Sequence, residues 1–117
     1  MAEIKRGDIW LVNLDPTIGH EIKKSRPAVV IQNDVGNKYS LVTIVAPLTS
    51  QNLEKVYPFE VLLTKKNPGV VKDSKVLLNQ IRAIDKRRLL RRFGKVDGET
   101  LGEIDEAIKI SLGLAQV

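Results

Sequence analysis

The stretch IWLVNLDPTIGHEIKKSRPAVVIQND (9–34) contains two apolar segments that are separated by a charged loop. The first segment, residues 9–14, ends at Asp15-Pro16, because a residue before proline is pushed out of the helical conformation and proline cannot donate to a strand ladder. The second segment, residues 27–32, is rich in β-branched side chains, which favour strands. The stretch therefore predicts two β-strands joined by an exposed, charged loop.

The strand pattern extends over the first two thirds of the chain. Turn signals occur at residues 33–37 and 67–69. Further strands are predicted over residues 39–48, 56–63 and 74–84, with a short one at 91–96. Asp85 can cap a short helical turn at residues 86–89.

From Asp97 the periodicity becomes helical, because Leu101, Ile104, Ile108 and Leu112 recur at spacings of 3, 4 and 4. Asp97 itself fits an N-cap, and Gly113 lies where a helix C-terminus favours glycine. Together the elements predict a mainly β, α+β fold. We expect a small antiparallel sheet or partial barrel with a C-terminal helix and short helical turns.

The length and composition predict one compact domain over residues 1–117, with 43% hydrophobic and 28% charged residues. The sequence contains no cysteine, which excludes disulfides and thiolate metal sites. It has no run of 18 apolar residues and no visible secretory signal. We therefore expect a cytoplasmic protein with no membrane partner.

The positive charge is concentrated in the middle of the chain. The formal net charge is +5, but residues 51–95 carry 12 Lys and Arg against 4 Asp and Glu, whereas residues 96–117 carry 1 against 5. Such a distribution indicates a polyanionic partner, with nucleic acid as the leading class. The run KRRLLRR (86–92) would follow a phosphate backbone if it were exposed. A lysine-rich, solvated surface explains the same composition without a partner.

The residue types present exclude several kinds of active site. One histidine cannot form an acid/base histidine pair, and no cluster of residues has metal-ligand spacing. No glycine-rich phosphate loop precedes a helix, so we expect no metal and no cofactor.

Phosphate chemistry remains open if RNA supplies its own 2′-OH as the nucleophile. The planar fork of Arg26 can bind two phosphate oxygens, and Glu21 is the natural general base of the charged loop. Thr49 and Ser50 can donate hydroxyl hydrogen bonds to a phosphate. Each group also has an ordinary structural role, because Arg26 could form a surface ion pair and the hydroxyls could cap a turn.

Several linked motifs, in the same order along the chain, resemble the MazF/PemK/Kid toxin family. They are KRGDIWLVNLDPTIGHEIKKSRPAVVIQND (5–34), IVAPLTS (44–50), DSKVLLNQIRAIDKRRL (73–89) and GEIDEAIKISLGL (102–114). The resemblance implies a homodimer of SH3-like, partly open β-barrels, each with a C-terminal helix. It also implies the cytoplasmic toxin of a type II toxin–antitoxin pair, inhibited by an antitoxin with an acidic, disordered tail.

The activity implied by this resemblance is metal-independent, sequence-specific cleavage of single-stranded RNA, mRNA included. Attack by the 2′-OH would leave a 2′,3′-cyclic phosphate and a 5′-OH, and the loss of mRNA would arrest translation and growth. The resemblance implies catalytic roles for Arg26, Thr49 and Glu21. It implies RNA-binding roles for Thr17, Gly19, His20, Lys23, Asn33, Ser50, Asn79 and Gln80.

Two other classes of function stay open at this point. Toxins of the CcdB type resemble the same fold but poison DNA gyrase and cleave nothing. A plain RNA-binding module would bind RNA with strong salt dependence and leave it intact. The combination of the Gly-x-Glu…Arg-Pro loop with Thr49 favours the nuclease.

Overall fold

The computed structural model describes residues 3–65, 67, 69–70 and 72–117. The elements formed by these residues are β1 (Asp8–Asn13), β2 (Ser25–Val30), α1 (Asp34–Tyr39), β3 (Val42–Thr49), β4 (Glu60–Leu63), β5 (Ser74–Leu77), β6 (Arg82–Asp85), β7 (Leu89–Lys95) and α2 (Gly98–Ser111). Short 3-10 turns, Leu78–Gln80 and Lys86–Arg88, precede β6 and β7. Within these ranges, neither α-helix has the length and hydropathy that crossing a membrane requires.

The strands form an antiparallel sheet in the order β4-β5-β3-β2-β1-β7, with β6 paired to β3. In the described part of the chain, no pairing joins β4 to β7, so the sheet stays open. β3 is central to it: residues 45–47 pair with β2, residues 42–45 with β6, and residues 48–49 with β5. The prediction of a mainly β fold with an open antiparallel sheet and a C-terminal helix is confirmed.

The predicted helix caps are confirmed. Asp97 accepts a hydrogen bond from the Thr100 amide at 2.7 Å, so it caps α2. At the other end Gly113 has a φ of 74°, and the Leu114 amide donates to the Lys109 carbonyl at 2.7 Å, which is a Schellman-type end. Asp85 caps the 3-10 turn that follows it by accepting from the Arg87 amide.

The turn predicted at residues 33–37 was wrong, because these residues begin the short helix α1. Asn33 caps α1 by accepting from the Gly36 amide at 2.8 Å. The side chain of Asn37, which is 4% exposed, accepts a hydrogen bond from the Thr43 hydroxyl at 2.7 Å. This contact with β3 stabilises a helix that its own sequence does not favour, and β3 begins at residue 42 rather than 39.

Two other predicted strands were too long. The strand predicted over 74–84 is divided into β5 and β6 by the 3-10 turn Leu78–Gln80. The Leu78 amide donates to the Phe59 carbonyl, and the Leu78 carbonyl accepts from the Ser111 hydroxyl at 2.8 Å. These bonds to distant segments replace the strand ladder at this point. The strand predicted over 56–63 occupies only 60–63.

The sheet has apolar side chains on both faces. One buried cluster includes Ile9, Val29 and Leu48 and packs against Ile104 and Ala107 of α2. The other includes Trp10, Val12, Ala28 and Val45, among other side chains of β1, β2 and β3. Because the central strands are buried on both faces, the polar side chains available for a site lie at strand ends, in loops and on the exposed part of β7.

Gly102→Ala is expected to stabilise the protein by about 0.5–1 kcal/mol, because alanine restricts the unfolded chain. Gly102 is exposed inside α2, and an added Cβ would meet nothing within 4 Å. Urea denaturation measures the change. Gly113→Ala is the matched control, since that site is equally open but has a φ of +74°, so the same added methyl should destabilise. Stabilisation by both changes would contradict the expectation.

Candidate functional site

A cavity of about 510 Å³ lies where the beginning of β2, the end of β3 and the middle of β7 meet. Arg26, Thr49 and Ser50 lie on its lining, and so do Lys72 and Arg91. Among the described lining residues no side chain is a carboxylate. Cationic and hydroxyl groups without a competing acid suit an anionic ligand.

Arg26 is held in this cavity by the backbone of two other segments. Its Nε donates to the Lys23 carbonyl at 2.9 Å, and its Nη1 donates to the Leu48 carbonyl at 3.2 Å. The side chain is half-buried, and this burial lowers the pKa of the guanidinium from its usual value. A guanidinium has five N–H donors, so most of the fork is left for an anion after two bonds to carbonyls.

Thr49 is the last residue of β3, and it is half-buried. Its Oγ1 accepts a hydrogen bond from the Gln51 amide at 3.2 Å. A hydroxyl that accepts still has its own proton to donate. Pairing of Thr49 with Lys75 of β5 holds the backbone at this position. The structure therefore brings Arg26 and Thr49 together on one cavity.

Glu21 lies outside the lining of this cavity. It is exposed, and its Oε1 accepts from the Ile18 amide at 2.6 Å, while its own amide donates to the Ile18 carbonyl. The carboxylate thus closes a turn within the loop between β1 and β2. The structure does not bring the predicted general base together with Arg26.

The loop between β1 and β2 (residues 14–24) is attached to the rest of the protein by long side chains. Gln80 accepts from the Ile22 amide at 2.6 Å and donates to the His20 carbonyl at 3.4 Å. Arg82 donates to the Leu14 carbonyl at 3.0 Å. The bonds to Gln80 hold the loop against the 3-10 turn Leu78–Gln80. The predicted RNA-binding residues of these two segments therefore share one surface: Thr17, Gly19, His20, Lys23, Asn79 and Gln80.

Asn33 lies apart from this surface. It follows β2, whereas Arg26 lies near the beginning of that strand, so the two residues are at opposite ends. Its side chain is engaged as the cap of α1. Within one chain, the structure does not bring Asn33 together with the other predicted RNA-binding residues.

The cavity wall formed by β7 was not predicted from the sequence, although Arg91 belongs to the run 86–92 that was predicted to follow a phosphate backbone if exposed. The Cζ atom of Arg91 lies 5.0 Å from the centre of the Phe93 ring, and both side chains line the cavity. The other arginines of the run 86–92 are engaged elsewhere: Arg87 with Asp85, Arg88 with the Asn13 carbonyl, and Arg92 with Asp8. The spacing of Arg91 and Phe93, two residues apart in a strand, was the available signal, because such residues share a face.

In the described ranges, no three His, Cys, Asp or Glu side chains form a group that could hold a metal ion.

Comparison with known proteins identifies the family. Residues 5–112 match the profile described as "PemK-like, MazF-like toxin of type II toxin-antitoxin system". The chain is 43% identical over 111 residues to "Endoribonuclease EndoA" of Bacillus subtilis (strain 168), covering 95% of this chain and 96% of that protein. It is 45% identical over 116 residues to "Endoribonuclease MazF9" of Mycobacterium tuberculosis, covering 95% and 98%.

Among solved structures, MazF from Deinococcus radiodurans has the same fold, with a TM-score of 0.84 and 29% identity over 97% of this chain and 99% of that one. Agreement in fold and sequence extends over nearly the whole length of both chains. The chain therefore belongs to the PemK-like, MazF-like family of toxins from type II toxin–antitoxin systems.

Proposed function

We propose that this protein is a sequence-specific endoribonuclease that cuts single-stranded RNA and acts as the toxin of its toxin–antitoxin pair. One observation carries the proposal: Arg26 and Thr49 line one cavity whose described lining has no carboxylate. The names of the relatives, "Endoribonuclease EndoA" and "Endoribonuclease MazF9", support the same activity. Cleavage of mRNA in the cytoplasm would arrest translation and growth.

In the proposed reaction the substrate supplies the nucleophile, and no metal is needed. The 2′-oxygen gives up its proton to water and forms a new bond to the adjacent phosphorus. The bond from phosphorus to the 5′-oxygen breaks, and that oxygen takes a proton from water as it leaves. The products are a 2′,3′-cyclic phosphate and a 5′-OH. Negative charge increases on the phosphate oxygens in the transition state, so donors held in place beforehand accelerate the reaction.

Arg26 is suited to stabilise that charge. Bonds to the Lys23 and Leu48 carbonyls orient the guanidinium before RNA binds, so little reorganisation is needed during the reaction. Arginine stays protonated, which makes Arg26 a stabilising cation rather than a base. The hydroxyl of Thr49 donates to a second phosphate oxygen from the end of β3.

Glu21 was predicted to be the general base, and we assign it a different role. Because its carboxylate binds the Ile18 amide, we propose that Glu21 orders the loop that contacts RNA. The surface formed by this loop and the 3-10 turn at 78–80 then recognises bases, through Thr17, His20, Asn79 and Gln80 with Gly19 and Lys23 beside them. Ser50 contributes at the cavity. Asn33 lies outside this proposed surface.

Two protein partners complete the proposal. The family is defined by pairing with an antitoxin, and an acidic, disordered tail would compete with RNA for the cationic cavity. The second partner is another copy of the chain. Val35, Tyr39 and Leu41, close in sequence on α1 and just before β3, are 72%, 75% and 83% exposed. Apolar exposure of this extent supports a subunit interface there.

The test is to incubate the protein with long single-stranded RNA in excess EDTA and to map every new end. We expect discrete cuts at one short motif, with 5′-OH ends. Thr49→Val should lower kcat by about 10²–10³, the loss typical of one donor to a developing oxyanion. Thr49→Ser, which keeps the hydroxyl, should retain most of the activity.

Intact RNA after a wide range of sequences has been tested would overturn the proposal. Poisoning of purified gyrase without RNA cleavage would assign the protein to the CcdB type of mechanism instead. Retained RNA binding without any cleavage would indicate a binding module.

A further inference from the structure

Part of the cavity lining has a composition that cleavage of one phosphate does not require. It consists of Arg91 and Phe93 from β7 together with Lys72 from the segment before β5. Two cationic side chains and an aromatic ring thus line the same cavity as the proposed catalytic groups. The mechanism above uses none of the three.

Arg91 is free to bind an anion. It is exposed, and in the described part of the chain no carboxylate lies within salt-bridge distance of it, whereas Arg87 and Arg92 each have one. Its guanidinium lies over the ring of Phe93, with Cζ 5.0 Å from the ring centre. A stacked guanidinium is oriented by the ring while its N–H donors still point outward around its edge.

A β-bulge sets the position of Phe93. In the pairing of β1 with β7, Ile9 is opposite Gly94 and Trp10 is opposite Arg92, so Phe93 has no partner in β1. Bulges redirect the side chain of the extra residue. The ring of Phe93 is half-buried and packs against the core cluster that contains Ile9. The ring also lines the cavity, where it forms an apolar surface that is held in place by the core.

The lining also contains the apolar side chains of Ile9, Pro27, Val70 and Phe93. Ile9 belongs to β1, which lies between β2 with Arg26 and β7 with Arg91. RNA has the same alternation, since an apolar base face lies between successive phosphates. A volume of about 510 Å³ is within the range of sites for small organic ligands and has room for a nucleotide.

We infer that the cavity is a nucleotide subsite, in which the nucleotide next to the cleaved phosphate lies between Arg26 and the Arg91–Phe93 wall. Its base contacts the apolar lining, and its far phosphate binds Arg91 and Lys72. This inference rests on the proposed endoribonuclease function and adds a substrate contact to it. Arg91 and Lys72 bind ground state and transition state equally, so they act on KM rather than on kcat.

Arg91→Ala is expected to raise KM for a short RNA that contains the cut motif by about tenfold, the effect of losing one charged hydrogen bond. We expect kcat to stay within about twofold, because the contact is made equally in both states. The slope of log KM against log salt should fall by about 1, as for one lost phosphate contact. Arg87→Ala is the matched control, since it removes the same charge from an exposed arginine that binds Asp85.

A second measurement identifies the phosphate. Each phosphate that flanks the cut is replaced in turn by a neutral methylphosphonate, and KM is measured with the wild type and with Arg91→Ala. At one position, we expect the replacement to raise KM more for the wild type than for the variant, because in the variant only Lys72 still contacts that phosphate. That position shows whether the nucleotide lies on the 5′ or the 3′ side of the cut.

The inference fails if Arg91→Ala and Arg87→Ala have the same KM, or if no methylphosphonate position couples to Arg91. It also fails if KM for RNA is unchanged while binding of an oligo-glutamate peptide weakens, since the wall would then belong to an acidic protein partner. In each of these cases the wild type still cuts RNA and the proposed function stands. Loss of cleavage by the wild type itself would instead overturn the proposed function.

Discussion

Arg26→Ala should lower kcat for RNA cleavage by at least about 10²–10³, the loss observed when one preorganised oxyanion donor is removed. The reason lies in how the side chain is held. Its Nε and Nη1 are bound to the Lys23 and Leu48 carbonyls, so the guanidinium is oriented toward the cavity before substrate arrives. Alanine removes both the charge and this orientation.

Arg26→Lys tests which of these two properties matters. Lysine retains a positive charge, but an ammonium cannot bind two backbone carbonyls and present a planar fork to a phosphate. We therefore expect Arg26→Lys to be much closer to Arg26→Ala than to the wild type. Single-turnover kinetics with a short RNA separate this chemical step from binding.

Arg87→Ala again serves as the charge control, because Arg87 binds Asp85 outside the cavity. Far-UV circular dichroism and the thermal midpoint show whether each variant folds. If folded Arg26→Ala cuts at the wild-type rate, the assignment of Arg26 is wrong.

Lys75→Met should destabilise the protein by about 3–5 kcal/mol, the loss typical of removing one partner from a buried ion pair. The Nζ of Lys75 lies 3.0 Å from Glu60, and the side chains are 6% and 8% exposed. The same Nζ donates to the Asn52 and Lys55 carbonyls at 3.0 Å each. Methionine has a similar length but no charge, so the buried Glu60 carboxylate would keep only the Tyr57 amide as a donor, and both carbonyls would lose the ammonium.

The measurement is urea denaturation of the wild type, both single variants and the double variant. Glu60→Gln in the Lys75→Met background should recover part of the lost stability, because it removes the uncompensated charge. Purely additive losses would mean that the pair is not coupled. A loss below about 1 kcal/mol for Lys75→Met, the level of an exposed ion pair, would contradict the buried role.

The ion pair also bears on the site. Lys75 pairs with Thr49 across the sheet, and its ammonium binds the segment that follows Thr49. The end of β3, and with it the Thr49 hydroxyl, therefore depends on a bond made within the core. No motif in the sequence indicates this contact, because Lys75 and Glu60 look like ordinary surface charges before the strands are placed.

The sequence by itself determined the features that depend on neighbouring residues. Asp97 and Gly113 mark the ends of α2 correctly, since a helix cap is a hydrogen bond made within a few residues. The apolar segments at 9–14 and 27–32 mark β1 and β2 to within two residues, because β-branched side chains favour strands and the Asp15-Pro16 step ends one locally. The order of the linked motifs identified the family, which the comparison confirmed.

The tertiary structure alone decided what depends on distant residues. The helix α1 and the break at 78–80 are held by bonds from Asn37 to Thr43 and from Leu78 to Phe59. Local propensity contains no information about such bonds. The sequence also could not show that the Glu21 carboxylate accepts from the Ile18 amide, away from the cavity.

In the site, too, some features depend on local sequence and others depend on contacts between distant residues. Arg26 and Thr49 could be singled out from their residue types and motifs, and they stay predictions until cleavage is measured. Arg91 and Phe93 join them only because β7 pairs with β1, which brings residues more than 60 positions from Arg26 to the same cavity. The sequence shows which groups can bind a phosphate, but strand pairing decides which of them meet, because side chains far apart in the chain come together only through the packing of the whole sheet.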